Sequence, residues 1–207
     1  MARKEVHIEA AGREVRISSP DKVVFPDQGW TKLDVAEHFA MCAAGALRGV
    51  YNRPVSLKRW TKGVKQDPFF VKRVPESARS TVDVRFPSAR PGRMFLPLDE
   101  GDVIWMAQMN CLDLNPWNAR GSDIDHPDEL RIDLDPADGY NFFHAREVAA
   151  AAKELLDEVG YISFPKTSGN RGIHIYVRIA PEWDYFQMRR AVLALARELE
   201  RRHELAT

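Results

Sequence analysis

No apolar run in the sequence approaches the ~20 residues that span a bilayer. The N-terminus, MARKEVHIEAAGREV, lacks the apolar core of a signal peptide. A membrane protein or a secreted one is therefore not expected, and the expected location is cytoplasmic. Cysteine is scarce: Cys42 and Cys111 are the only two, without metal-ligand spacing. This excludes a disulfide framework, and both read as reduced packing residues. Neither a repeat nor a low-complexity linker breaks the chain. Net charge is absent too, with 30 Lys+Arg against 30 Asp+Glu, so bulk charge selects no partner by itself.

What is present describes a globular protein. The chain has 207 residues, 44% of them hydrophobic and 29% charged, enough to build a core. Its charges are segregated. Nine basic residues lie between Arg48 and Arg79 against Asp67 and Glu76, and eleven acids lie between Asp99 and Asp138 against Arg120 and Arg131. A basic half followed by an acidic half suits a polyanion lying beside a cation site, and equally suits two solvated faces of opposite sign.

Alternation across a Gly-containing turn predicts a β-hairpin over residues 5–17. SSPDKVVFP reads as a loop. Thr31 is placed to cap a helix running to about Leu47, with Val35, Ala36, Phe39 and Ala43 inward. RPVSLKRW reads as a strand, and 81–86 and 93–98 are further strand candidates. Residues 102–111 fit a strand or a short helix, and DLNPWNARGSDIDHPDE reads as a loop. LRIDLDP is a strand, followed by a helix with the stripe Val148, Ala152, Leu155, Val159 and a stop at Gly160. A short strand, a Gly loop, the strand IHIYVRI and a helix carrying Met188, Val192, Leu195 and Leu199 on one face complete the chain. One α/β (α+β) unit over residues 1–207 is expected.

Three stretches carry chemistry. In LRIDLDP, alternation puts Arg131, Asp133 and Asp135 on one face and Ile132 and Leu134 on the other. The two carboxylates stand ~7 Å apart along the strand. Like charges so close need a positive partner, whether Arg, Lys or metal. An all-oxygen pair suits Mg²⁺ or Mn²⁺, and a solvated surface strand would look the same. Asp-x-Asp also occurs in glycosyltransferases and aspartyl-phosphate phosphatases, but Pro136 and Ala137 do not suit the phosphatase form. In KTSGNRGIHIYV, Ser168, Gly169 and Gly172 can shape a loop whose N–H groups face an anion, with Lys166 and Arg171 adding charge. His174 shares a face with Tyr176 and Arg178. In DPFFVKR, Phe69 and Phe70 point opposite ways on a strand, one into a core and one outward. Amid Lys65, Lys72 and Arg73 such rings can stack bases.

The ordered series SPDKVVFP, TKLDVAEHF, RPVSLKRW, PFFVKRVPESA, MAQMNCLDLNPW, DHPDELRIDLDP and KTSGNRGIHIYV resembles the polymerase domain of bacterial DNA ligase D. That domain belongs to the archaeo-eukaryotic primase superfamily, and the resemblance runs from about residue 18 to the C-terminus. It implies a primase-polymerase-like fold with a mostly antiparallel sheet flanked by helices. It also implies a template-dependent nucleotidyltransferase that fills gaps and extends primers in non-homologous end joining, using NTP or dNTP. By the same resemblance Asp133 and Asp135 hold the catalytic Mn²⁺ or Mg²⁺ ions. Ser168, Arg171 and His174 contact the incoming nucleotide. Lys22 and Lys32 bind the 5′-phosphate across a gap or break, and Phe69 and Phe70 lie against the template strand. Ku and an ATP-dependent DNA ligase are the partners implied.

Two departures from the pattern stand out. Where many relatives place a phosphate-contacting His before Pro-Trp, this chain has Asn115, which donates a hydrogen bond without charge. The family also uses a third Asp on a strand after the last helix, and the sequence ends at Thr207 before such a strand. The chain is therefore expected to lack the family's C-terminal strands, to bind nucleic acid and to have little polymerase activity. A non-catalytic binder of 5′-phosphorylated DNA ends is the alternative reading.

Overall fold

The structure is a computed structural model describing residues 4–76, 78–86 and 89–206. The sequence reading treats residues 1–207 as one domain; the folded chain divides after Ser122 into two compact units.

The first unit opens with the expected hairpin, β1 (Glu5–Ala10) and β2 (Arg13–Ser18), paired antiparallel from Glu5↔Ser18 to Ala10↔Arg13. Its two-residue turn is Ala11-Gly12, with φ of 52° and 71°, the left-handed pair that matches strand twist. SSPDKVVFP is not wholly loop, because β3 (Val23–Phe25) pairs with β4 (Trp30–Thr31). Thr31 then caps α1 (Lys32–Val50), its hydroxyl accepting from the Asp34 N–H while the Asp34 carboxylate accepts from the Thr31 N–H. The helix buries Val35, Ala36 and Ala43.

A five-stranded antiparallel sheet follows. Its path is β6 (Phe69–Val71), β5 (Val55–Arg59), β8 (Ala89–Phe95), β7 (Thr81–Phe86), and β9 (Asn115–Pro116) also pairs with β5. Between β8 and β9 lies α2 (Glu100–Gln108), which resolves the strand-or-helix ambiguity of residues 102–111. Asp99 decides it by capping the helix, its carboxylate accepting from the Asp102 N–H at 2.9 Å. Asn115 and Pro116 form a strand rather than loop because the β5 backbone offers them partners, Ser56↔Asn115 and Val55↔Pro116. The two-residue β10 (Ala119–Arg120) ends the unit.

The second unit contains β11 (Asp123–Pro127), β12 (Glu129–Leu134), α3 (Phe142–Glu158), β13 (Ser163–Thr167), β14 (Ile173–Arg178) and α4 (Tyr185–Arg202). Its sheet has the order β12-β14-β13, with β14 antiparallel to both neighbours. β12 and β13 therefore run parallel, joined through α3, with β14 inserted between them. Leu130, Ile173, Ile175 and Val177 on one face pack with Ala145, Val148, Ala152, Leu155, Met188 and Leu199 of the helices. The predicted α3 stripe holds except at Val159, which is the exposed C-cap, and Gly160 follows with φ 83°.

The fold is mixed α/β with antiparallel sheets flanked by helices, as the sequence predicts. Among the described residues no helix is long and apolar enough to cross a membrane. Cys111 is a buried packing residue, its thiol pushed up to about 12 by burial. Cys42 is exposed rather than a packing residue, its Sγ 3.9 Å from His38 Nε2, contrary to expectation.

Candidate active site

The β12-β14-β13 sheet buries one face under helices, and alternation sends the other residues of each strand to the open face. Register then assembles two rows across three strands. Asp133 lies opposite His174, and His174 opposite Lys166; Arg131 lies opposite Tyr176, and Tyr176 opposite Phe164. The group facing Asp133 is an imidazole: His174 Nε2 is 3.3 Å from Asp133 Oδ1. The face is open rather than desolvated, with the Asp133 side chain 65% exposed. Tyr176 stands beside His174, its hydroxyl 3.5 Å from Nδ1. The Arg131 guanidinium lies over the Tyr176 ring at 5.6 Å.

Strand β12 ends at Leu134, so Asp135 leaves the ladder and meets the Ser-Gly loop. Ser168 shapes that loop. Its hydroxyl accepts from the N–H groups of Asn170 at 3.2 Å and Gly172 at 3.0 Å, and its own N–H donates to the Gly172 carbonyl. Gly172 is required by close approach. A Cβ there would sit 2.5 Å from Asp135 Oδ1 and 2.6 Å from the Leu134 carbonyl oxygen. Asp133, Asp135, Ser168 and His174 are thus brought together by one sheet and one tight loop, with Arg171 exposed at the loop tip. A cavity of about 430 Å³ runs along β12, lined by both aspartates and by apolar side chains such as Leu155 and Leu195.

The donor set fits a hard divalent cation. It offers two carboxylates, and such ions complete their shells with water and substrate phosphate oxygens. Among the described residues no three His, Cys, Asp or Glu side chains converge as a closed protein cage.

The remaining predicted residues lie in the first unit. Lys32, first in α1, is buried, and its ammonium donates to the Ser18 carbonyl at 3.0 Å. Burial, with the charges of Lys22, Arg59 and Arg16 nearby, lowers its pKa to about 8. Lys22 donates to the Thr61 carbonyl. Phe69 and Phe70 sit on β6 and point opposite ways, but neither is core, at 47% and 58% exposure. The ladder separates them: Phe69 pairs with Arg59 and Phe70 with Lys58. Asn115 pairs with Ser56 and so shares the Lys58–Phe70 face. On that face Lys58 lies 4.8 Å from the Trp60 ring centre and bridges to Asp113 at 3.1 Å. Asn115 Nδ2 is buried without a hydrogen-bond partner.

Against this geometry, residues 31–207 match the family described as LigD, primase-polymerase domain. The chain belongs to that family. The LigD primase-polymerase match is joined by whole-protein relatives. One is the multifunctional non-homologous end joining protein LigD of Mycolicibacterium smegmatis, 33% identical over 87% of this chain and 24% of that protein. Another is its namesake in Pseudomonas aeruginosa, 30% identical over 93% of this chain and 23% of that protein. The chain spans about a quarter of the length of these relatives. In structure it is similar to the polymerase domain from Mycobacterium tuberculosis ligase D in complex with DNA. The TM-score is 0.75 at 30% identity, covering 90% of this chain and 69% of that one. Sequence reading did not single out Lys58, Arg59 or Asp113 as site residues. The signal was present in RPVSLKRW, where alternation puts Lys58 and Arg59 on opposite faces.

Proposed function

We propose that this chain is a template-directed nucleotidyltransferase domain acting at DNA breaks. It adds nucleotides to a primer strand across a gap ending in a 5′-phosphate, within non-homologous end joining. The observation that carries the reading is the open face of the second unit's sheet. There a carboxylate pair, an imidazole and a tight Ser-shaped loop stand side by side in a LigD primase-polymerase chain. The names of the relatives and the DNA-bound state of the similar structure support it.

Asp133 and Asp135 are the residues to hold Mn²⁺ or Mg²⁺, which when bound supply neutralising charge at the phosphates and lower the cost of ionising the primer hydroxyl. His174, freed from Asp133, and Arg171 face the triphosphate, beside the loop that Ser168 holds in shape. In the first unit, Asn115 Nδ2 is an unused donor suited to a phosphate oxygen. Lys22 and Lys32 take the 5′-phosphate, and Phe69 and Phe70 offer stacking faces to the template strand. The protein's part is positioning and fixed charge. NTP or dNTP is the co-substrate; Ku and an ATP-dependent ligase are the partners proposed.

The test is primer extension on a gapped, 5′-phosphorylated duplex with Mn²⁺. Template-directed addition is expected, weak where only two of the family's three metal-binding carboxylates are present, and Asp133→Asn abolishes it while gap binding survives. Addition that persists in Asp133→Asn, or that ignores the template, refutes the proposal.

A further inference from the structure

Helices α3 and α4 cover the same face of the second unit's sheet. Val148, Ala152 and Leu155 from one and Met188 and Leu199 from the other pack with Ile173, Ile175 and Val177. The positions opposite these buried residues form a stripe along each helix that faces away from the sheet. On α3 the stripe is Phe143, Glu147, Ala150, Glu154; on α4 it is Phe186, Arg190, Leu193, Arg197. All of them are exposed, Phe143 at 62%, Phe186 at 82% and Leu193 at 45%. The spacing is the same on both helices and the charges are opposite.

A solvated helix face carries mixed charges that pair along the surface. The neighbouring positions do so: Lys153 pairs with Asp157, Arg201 with Glu198, and Arg202 with both Glu158 and Glu198. Arg146 lies over the Phe143 ring at 5.5 Å. Among the described residues, Glu147, Glu154, Arg190 and Arg197 have no ion-pair partner. Exposed Phe and Leu side chains set among charges of one sign fit a partner surface better than water.

We propose that α3 and α4 together form a self-association surface whose partner is a second copy of this chain. Each charged pair is separated by seven residues, about two turns or ~10.5 Å. Arg190 and Arg197 therefore meet Glu147 and Glu154 whichever way the helices run, with Leu193 set against Ala150 or its neighbour Ala151. A twofold axis between the helices lays α3 of each copy on α4 of the other, so each stripe finds its complement and the surface closes on itself. A single helix contact is small against the ~1,200 Å² of a stable interface, and the reciprocal arrangement doubles it. Nucleic acid would satisfy the arginines but be repelled by the glutamates of the companion helix; a second copy satisfies both.

Sedimentation equilibrium of the 207-residue chain, from about 1 to 100 µM, reads the association. A monomer–dimer equilibrium is expected, its dissociation constant raised severalfold on going from about 0.05 to 0.5 M NaCl. Glu147→Arg with Glu154→Arg, and separately Arg190→Glu with Arg197→Glu, should each raise that constant by about tenfold or more, because symmetry counts every reversed charge twice. The chain carrying all four reversals restores the dimer, which misfolding of either double variant cannot imitate. A chain that stays monomeric at low salt overturns the proposal. So does a dimer indifferent to both double variants, a fourfold variant that fails to dimerise, or association that grows into open polymers. Anisotropy on a gapped duplex tests the rival occupant: a monomer whose duplex affinity falls with Arg190→Glu and Arg197→Glu assigns the α4 stripe to nucleic acid and ends the proposal.

Discussion

With Lys32 in its proposed end-phosphate role, end binding is expected to depend on pH in a range where DNA phosphates do not titrate. Its ammonium is buried against the Ser18 carbonyl, and burial first, then the cations Lys22, Arg59 and Arg16, lower its pKa from 10.5 to about 8. A bound phosphate holds the proton on, so apparent affinity tracks the protonated fraction of the free protein. For a value of about 8, that fraction falls from about nine-tenths at pH 7 to about one-tenth at pH 9. Affinity for the phosphorylated gap should therefore weaken about tenfold across those two units, and affinity for the hydroxyl duplex much less. The assay is fluorescence anisotropy on gapped duplexes bearing a 5′-phosphate or a 5′-hydroxyl, run from about pH 7 to pH 9 at fixed salt, because exposed phosphate contacts are strongly screened. Lys32→Arg keeps its charge throughout and should flatten the profile. A wild-type phosphate-to-hydroxyl ratio that stays constant over this range would refute the reasoning, as would a Lys32→Arg profile as steep as wild type.

Three further outcomes are expected. Lys32 is charged at a cost in the folded state: between about pH 8 and 10.5 the unfolded chain holds a proton that the folded chain lacks, so stability rises with pH there. Lys32→Met should then raise stability at pH 7 by about 1–2 kcal/mol after the lost bond to Ser18 is deducted, with the gain shrinking above pH 9; thermal melts at the two pH values check both signs. Asp102 is buried and accepts from Arg13 at 2.7 Å, Arg79 at 3.3 Å and the Leu98 N–H at 2.9 Å. Asp102→Ala should cost about 2–4 kcal/mol in urea unfolding, less than a fully buried pair because both arginines reach water; a cost under about 1 kcal/mol would mean the cluster is ornamental. Gly172→Ala puts a methyl against the Leu134 carbonyl and the Asp135 carboxylate. It should abolish Mn²⁺-dependent extension while end binding, proposed for the first unit, persists; near-normal extension would show that Asp135 need not hold its place.

Much of this was legible in the sequence where periodicity and capping agree. Thr31 with Asp34, and Asp184 with Gln187, are capping pairs whose spacing announces a helix start. Strict alternation in IHIYVRI gave the buried Ile173, Ile175, Val177 row and the open His174, Tyr176 row. The failures share a cause. Asn115–Pro116 has no strand pattern of its own and becomes one because β5 lends it partners; local propensity carries no record of a distant edge. Phe69 and Phe70 alternate as expected, yet both stay exposed, because β6 is an edge strand at the end of its sheet. Gly172 looked like one glycine of a loop. Its necessity comes from a carboxylate 37 positions earlier in the chain, brought against it by the β12–β14 ladder.

The places where local rules are broken carry the functional argument. Among the described residues of the first unit, Lys22, Lys32 and Arg59 donate to carbonyls and have no carboxylate partner, and Lys32 is buried. In the second, Asp133 has only an imidazole at 3.3 Å, and among the described residues Asp135 pairs with no cation. A sequence selected for stability alone would have exchanged partners between such clusters or replaced them with neutral residues. On the proposed function each cluster would instead be completed by a ligand of opposite sign: a terminal phosphate for the cations, a divalent metal for the carboxylates. That is why a net charge of zero is uninformative here. The sum cancels two unsatisfied sites, and adding salt should weaken end binding and metal binding alike while leaving the stability of the fold nearly unchanged.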